Sequence, residues 1–249
     1  MNAQANRRRQ TRRSQAPARR DPAPPSLPAL SRSVEDYLKA VYHLSDQGAA
    51  ATTKDIALRL VVAAPSVSMM LKRLSALGLV QRVPYQGAQL TREGRQAALR
   101  TIRRHRVLEL YLTRHLGFAW DTVHDEAERL EHAVSDLLID RMAAALDNPR
   151  YDPHGDPIPT ADGTIESADL VSLATAPVGM ELELRQVTTQ DPERLRFLAE
   201  HGLVPGLHLA IADRQPFGGP TTVRFQRTGA VQVVGMELAQ LLMCLGGAA

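Results

Sequence analysis

The sequence predicts a mainly α protein with a β wing: a winged helix-turn-helix, then a helical middle, then a small SH3-like β-barrel. Three observations carry this expectation. Apolar residues recur at helical spacing over most of residues 33–145. Two short apolar stretches flanking Gln86 and Gly87 break that rhythm with a hairpin signal. Beyond the Pro- and Gly-rich segment DNPRYDPHGDPIPTADGTI, the period changes from helical to alternating. The expected divisions are an arm at 1–30, the winged unit at 31–95, the helical middle at 96–150, a linker at 151–168 and the barrel at 169–249.

A chain of 249 residues with 44% hydrophobic content can bury a sizeable core. Its length points to two domains, with one possible. No apolar run approaches the ~18 residues a membrane helix needs. With Cys244 as the single cysteine, an intrachain disulfide is impossible, which fits a cytoplasmic protein. The net charge of +3 is unevenly spread: counting Lys and Arg against Asp and Glu, residues 1–30 carry +6, 31–105 carry +7 and 106–249 carry −10. The basic thirds invite polyanions and the acidic third invites cations.

Taken in order, residues 1–30 are rich in Arg, Pro, Ala and Gln with little to bury, and read as a disordered arm. The arm has no apolar stretch of the kind a secretory signal requires. It either touches phosphates or serves only solubility. SVEDYLKAVYHLSDQG then gives an amphipathic helix, with Ser33 as cap, Val34, Leu38, Val41 and Leu44 inward, and Gly48 as terminator. Thr52 or Thr53 caps a short helix that turns Ile56, Ala57 and Leu60 inward. A break near Val62 to Ala64 leads to a second helix, from about Pro65 to Gly78. LVQRVPYQGAQLT supplies two short strands and their turn.

Helix, tight turn, helix and hairpin are the parts of a winged helix-turn-helix, whose second helix enters the DNA major groove. Pro65, Ser66, Ser68, Met69 and Lys72 would line its leading face. Serines can bond phosphates or bases, Met69 can meet a thymine methyl, and Lys72 and Arg73 can neutralise phosphates. Val67, Met70, Leu71 and Leu74 read as core. Some winged helices bind only protein, and the +7 of this segment favours DNA.

Thr91 caps a long helix, REGRQAALRTIRRHRVLELYLTRHL, with a basic face at Arg95, Arg100, Arg103 and Arg104. Its far end places His105 and Glu109 at i, i+4, where they form a salt bridge, face solvent or hold a metal. The next helical stretch contains HDEAERLEH. At about 100° per residue, His124, Glu128, Glu131 and His132 fall within roughly 100° of one helix face. Two readings stand: a solvated amphipathic face, or side chains sharing a ligand. Few cations neighbour these carboxylates, and crowded carboxylates repel unless a cation sits between them. In the last third, MELELRQVT, LHLAIADRQ, TTVRFQR and AVQVVG alternate as strands, DPERLRFLAEHG is a helix between the first two, and GMELAQLLMCL closes the chain.

Several of these motifs, VEDYLKAVYHL, PSVSMMLKRLSALGLV, RRHRVLELYL, VHDEAERLEH and DPHGDPIP, occur in an order that resembles the diphtheria-toxin-repressor family of metal-dependent transcriptional regulators. The resemblance runs from about Val34 to the C-terminus. It implies a homodimer whose winged helices bind palindromic double-stranded operator DNA when divalent metal is loaded, repressing metal-uptake genes. It implies a primary metal site on Asp36, Glu128, Glu131 and His132, and an ancillary site on His105, Glu109 and His124. Iron-responsive relatives carry Met and Cys where this chain has Asp36 and Glu128. Hard carboxylate in place of soft sulfur suits Mn²⁺, with Fe²⁺ as the alternative.

Two departures qualify the resemblance. Small manganese regulators carry a Glu where Lys39 stands and use it in a second, paired manganese site, and a lysine cation cannot ligate a metal. Some long relatives take ligands from the barrel, where Gln190 and Glu193 are the candidates here. An enzyme is disfavoured: a ferritin-like di-iron centre needs Glu-x-x-His on two helices, Glu128 is followed at i+3 by Glu131, and no H-E-x-x-H, nucleophile elbow or phosphate loop occurs. A metal-independent DNA-binding protein is the remaining alternative.

Overall fold

The computed structural model describes residues 30–45, 49–83 and 86–246; the basic arm and Gly48 lie outside the described residues. The first helix, α1 (Arg32–Leu44), starts two residues earlier than expected. Ser31 rather than Ser33 is its extended N-terminal residue, and the Ser31 carbonyl accepts from Val34 N at 2.8 Å and Glu35 N at 3.1 Å. Arg32 and Ser33 extend the helix because neither has to be buried: both are exposed, while Val34, Leu38 and Val41 enter the core.

Thr52 caps α2 (Thr53–Leu60), its Oγ1 accepting from Asp55 N at 3.1 Å. Val61 then takes a left-handed conformation, φ 53°, that a β-branched residue adopts only under strain, and so turns the chain into α3 (Ala64–Ala76). The wing is an antiparallel pair, β1 (Val80–Val83) and β2 (Gly87–Leu90), with Val80 opposite Leu90.

Thr91 caps the long α4 (Arg92–Leu116), accepting from Gly94 N at 3.0 Å. A side chain on Gly94 would place its Cβ 1.8 Å from the Leu79 carbonyl oxygen, so only glycine lets α4 rest on the residue that leads into β1. Helices α5 (Val123–Leu130) and α6 (Asp136–Ala145) pack on α4 beside α1, burying Val107, Leu108, Ala127, Ile139 and Ala143 together.

The segment expected as a linker lies against α4. Arg106 donates to the Pro157 carbonyl at 2.6 Å and to Asp156 Oδ1 at 2.9 Å, Arg103 donates to the Pro159 carbonyl at 2.9 Å, and Ile158 joins the helical core. Beyond it lie β3 (Val171–Ser172), β4 (Glu181–Val187), α7 (Pro192–Glu200), β5 (His208–Arg214), β6 (Thr221–Phe225), β7 (Val231–Val234), α8 (Met236–Leu241) and β8 (Leu242–Gly246). They form an antiparallel sheet in the order β3-β8-β4-β5-β6-β7. The closing stretch is helical only to Leu241; its last residues insert as β8 between β3 and β4. The expected barrel is therefore a small sheet, bent where the register shifts at Leu184/Gln186 and Ile211/Asp213, with no pairing of β3 to β7 among the described residues.

Candidate metal centre

Four elements converge on one cluster. Helix α4 supplies His105 and Glu109 a turn apart, α5 supplies His124 and Glu128, the chain after α5 supplies Glu131 and His132, and α1 supplies Asp36. The motif HDEAERLEH is thus not one helix face. Helix α5 ends at Leu130, because the chain must reverse into α6, which Ser135 caps by accepting from Leu138 N at 3.2 Å. Glu131 closes the last turn of the helix and reaches both Lys39 on α1 and His105 on α4, His132 reaches Asp36 on α1, and His124 faces Glu109 on α4.

Glu109 Oε1 lies 2.9 Å from His105 Nε2 and 3.1 Å from His124 Nδ1. A second group forms where His132 Nε2 stands 2.8 Å from Asp36 Oδ1 and 3.2 Å from Glu131 Oε1. The two are joined by His105 Nδ1, 2.6 Å from Glu131 Oε2. In each trio, His105–Glu109–His124 and Asp36–Glu131–His132, the donor atoms lie within 4.8 Å of one another. Glu128 keeps that distance with His105 and Glu131 rather than with Asp36 and His132. Lys39 Nζ holds Glu128 Oε1 at 2.5 Å and Glu131 Oε1 at 2.7 Å.

The electrostatics follow from burial against paired charge. Burial alone would lower the pKa of His105, but the Glu109 and Glu131 carboxylates outweigh it and raise it to about 9. At His132 burial is again outweighed, by Asp36, Glu131 and Glu35, and the value rises to about 11. Glu109 and Glu131 are driven well below the ordinary carboxylate range despite burial, held by the facing histidines and, at Glu131, also by Lys39. The donors are imidazole nitrogens and carboxylate oxygens. His132 Nε2, though 2.8 Å from Asp36 Oδ1, is buried without an aligned hydrogen bond. Such a donor set, with a misaligned imidazole among carboxylates, fits a divalent ion of the Mn²⁺, Fe²⁺ or Zn²⁺ kind.

Glu35 is the residue that sequence reasoning missed. Its Oε2 lies 2.6 Å from His132 Nδ1 and its Oε1 accepts from Arg104 at 3.1 Å, so it orients the imidazole from behind. An acidic residue between the inward Val34 and Leu38 was the available signal. Of the barrel candidates, Gln190 lines the cleft of about 950 Å³ that Asp36, His105 and Glu109 also line, and Glu193 does not. On α3, Pro65, Ser66, Ser68, Met69 and Lys72 are all exposed, while Val67, Leu71 and Leu74 are buried and Met70 is half-buried. Ser68 Oγ donates to the Ala64 carbonyl at 3.2 Å, which leaves its oxygen as an acceptor.

Residues 29–88 match the N-terminal DNA-binding domain of iron-dependent repressors, residues 91–160 their metal-binding and dimerisation domain, and residues 171–244 the FeoA domain. The iron-dependent repressor IdeR of Mycobacterium tuberculosis is 32% identical over 209 residues, covering 78% of this chain and 89% of the relative. The chain belongs to the iron-dependent repressor family. Within that family it is also 32% identical to the diphtheria toxin repressor of Corynebacterium glutamicum, over 75% of this chain and 86% of the relative. Among solved structures, a manganese-dependent transcriptional repressor in complex with manganese shares 37% identity at a TM-score of 0.80, covering 86% of this chain and all of that one. The manganese regulator SloR shares 31% at 0.69, over 86% of this chain and 98% of the other. The family is one of metal-dependent transcriptional repressors with a winged DNA-binding domain.

Proposed function

We propose that this chain is a manganese-responsive repressor of metal-uptake genes, a cytoplasmic binding switch rather than an enzyme. It engages double-stranded operator DNA as a homodimer when loaded. The observation that carries the metal assignment is the absence of sulfur from the described donor groups: Asp36 and Glu128 are carboxylates, and hard oxygen suits Mn²⁺. Fe²⁺ is the second reading, favoured by the iron-dependent repressors among the sequence relatives.

The residues that would hold the ions are Asp36, Glu131 and His132 in one group and His105, Glu109 and His124 in the other, with Glu128 between them. A divalent ion there supplies the positive charge that protons and Lys39 supply in its absence. Asp36 lies on α1, just before the DNA-reading helices, whereas Glu131 and His132 follow α5. These three side chains thus tie the winged unit to the helical middle and fix the spacing that paired half-sites require. Glu35 and Arg104 hold the His132 imidazole in place for that contact.

The test titrates operator binding with Mn²⁺, Fe²⁺, Co²⁺ and Zn²⁺ at buffered, comparable occupancy without oxygen. It also measures Mn²⁺ affinity with and without operator at one ionic strength, because salt alone shifts DNA affinity steeply. Operator should tighten Mn²⁺ binding by the factor by which Mn²⁺ tightens operator binding. Asp36→Ala should shrink both couplings, and Glu131→Ala or His132→Ala should abolish metal-activated DNA binding in a folded protein. If neither ligand affects the other, the metal-switch reading fails; equal activation by Mn²⁺ and Fe²⁺ removes the manganese assignment alone.

A further inference from the structure

The sheet of the last domain has two edges that are built differently. At one edge β3 is two residues long, whereas at the other β7 is a four-residue strand that pairs with β6 alone. Natural edge strands are usually blunted by shortness, proline, lysine, a bulge or a covering element. β7 reads VQVV, carries no charge, and runs along β6 without a register shift.

The hairpin fixes which backbone groups of β7 are free. Phe225 N donates to the Ala230 carbonyl and its own carbonyl accepts from Gly229 N, both at 2.8 Å, so Phe225 faces β7, while Gln226 N donates the other way, to the His208 carbonyl at 3.0 Å. In an antiparallel ladder that facing alternates residue by residue. Val223 and Thr221 therefore also face β7, and their partners Gln232 and Val234 face back to β6. Val231 and Val233 turn N–H and C=O outward, where among the described residues no other strand pairs with them. Their side chains stand on the outer face of the sheet, 54% and 67% exposed, while Val234 on the opposite face is buried.

A second copy of the same strand fits this edge. In antiparallel pairing about a twofold axis at Gln232, Val231 meets Val233 of the second copy and Val233 meets its Val231, which closes four N–H···O=C bonds and gathers four valines on one face. No like charges oppose one another, because the strand has none. Arg227 and Glu237 stand five residues to either side of Gln232, so opposite charges fall at matching ends of the pair. The chain's own first 29 residues are poorly suited to the edge: Thr11 is their one β-branched residue, and Pro17, Pro22, Pro24, Pro25 and Pro28 each lack the N–H a ladder needs.

We propose that β7 is a self-association edge that joins two copies of this chain into one continuous antiparallel sheet, separate from the dimerisation that residues 91–160 carry in this family. One short strand covers far less than the ~1,200 Å² of a stable specific interface. The contact is therefore weak alone and acts between dimers already held close, as on neighbouring sites of one DNA.

The test combines sedimentation of the full chain over a wide concentration range with cysteine cross-linking. The unmodified chain should show a concentration-dependent doubling of mass, and Val231→Lys together with Val233→Lys should remove it. Both valines point outward, so circular dichroism and thermal melts should show the fold kept. Gln232→Cys should form an inter-chain disulfide under mild oxidation, because directly opposed residues outside the hydrogen-bonded pairs stand ~4.5 Å apart at Cα. Arg227→Cys, exposed in the turn, should not, and the buried Cys244 should leave the unmodified chain uncrosslinked. The disulfide reports the pairing even where association is too weak to sediment. Equal disulfide yields in Gln232→Cys and Arg227→Cys, or a doubling that the folded lysine variant retains, overturns the inference and assigns the edge to another protein or the association to another face.

Discussion

Lys39 donates to Glu131 Oε1 at 2.7 Å across 92 residues of chain, and the same ammonium reaches Glu128 at 2.5 Å. Glu131 is fully buried. Where the small manganese regulators have a carboxylate, this chain carries its own cation, tethered between two acids that a metal would otherwise have to neutralise.

Replacing it with Lys39→Met should therefore destabilise the metal-free protein. Breaking a buried pair typically costs about 3–5 kcal/mol, and the lower end applies here because His105 and His132 also face Glu131. Manganese should restore most of the loss, so the Mn²⁺-induced rise in Tm should be larger in the variant. Thermal melts with and without Mn²⁺ check this; identical metal-free Tm values would show that Lys39 compensates nothing.

Metal uptake should release protons. With pKa values raised to about 9 and about 11, His105 and His132 are imidazolium at neutral pH in the metal-free protein. Their contribution to its stability is full below ~6.5, the unfolded value, and is lost as pH rises through those folded values. The depressed Glu109 and Glu131 act oppositely, contributing above ~4.3 and losing that contribution as pH falls through their folded values. A ligating imidazole must first shed its proton, so Mn²⁺ affinity should climb between neutral pH and about 9, by up to ~10-fold per unit for each proton displaced. Calorimetry at pH 7 in two buffers of different ionisation enthalpy measures the protons released. Zero release would rule out His105 and His132 as ligands.

Selectivity should follow the donor atoms. Asp36→Met combined with Glu128→Cys exchanges oxygen for sulfur at two positions and should move activation from Mn²⁺ toward Fe²⁺. An unaltered ratio of the two responses in operator binding would place selectivity elsewhere.

On the DNA side, Lys72→Ala should weaken binding to every sequence alike and reduce the slope of log affinity against log salt by ~1, as loss of one phosphate contact does. Met69, 70% exposed, should instead affect only operators with thymine at the contacted step, and Met69→Ala should relax discrimination there. Equal losses on all sequences for Met69→Ala would show that it reads no base.

The winged unit was legible because each of its parts carries a local signal: Thr52 and Thr91 as caps, Pro65 in a first turn, Gly87 in a hairpin. The donor residues were legible as types, and their grouping was not. Helical spacing puts His124, Glu128, Glu131 and His132 on one face only while the helix continues, and its end at Leu130 is set by packing of α6 on α4. Glu35 was missed for the same reason, since its partner, His132, is remote in sequence. In the last domain the alternation marked β4 to β7, but β8 reads LMCLG, apolar almost throughout, so the burial that alternates along it leaves no alternation in the sequence.

Gly94 and His105 stand eleven residues apart on α4, close to three whole turns of a helix with ~3.6 residues per turn. The side of α4 that rests on the wing at Leu79 is therefore the side that carries the histidine. One unbroken helix, Arg92–Leu116, joins the two, and the remaining contact between them is made at α1. The phase of the screw is then part of the message. One residue inserted between Gly94 and His105 would keep every ligand and every DNA-facing side chain in the sequence, yet rotate one set against the other by ~100° and part Asp36 from Glu131 and His132.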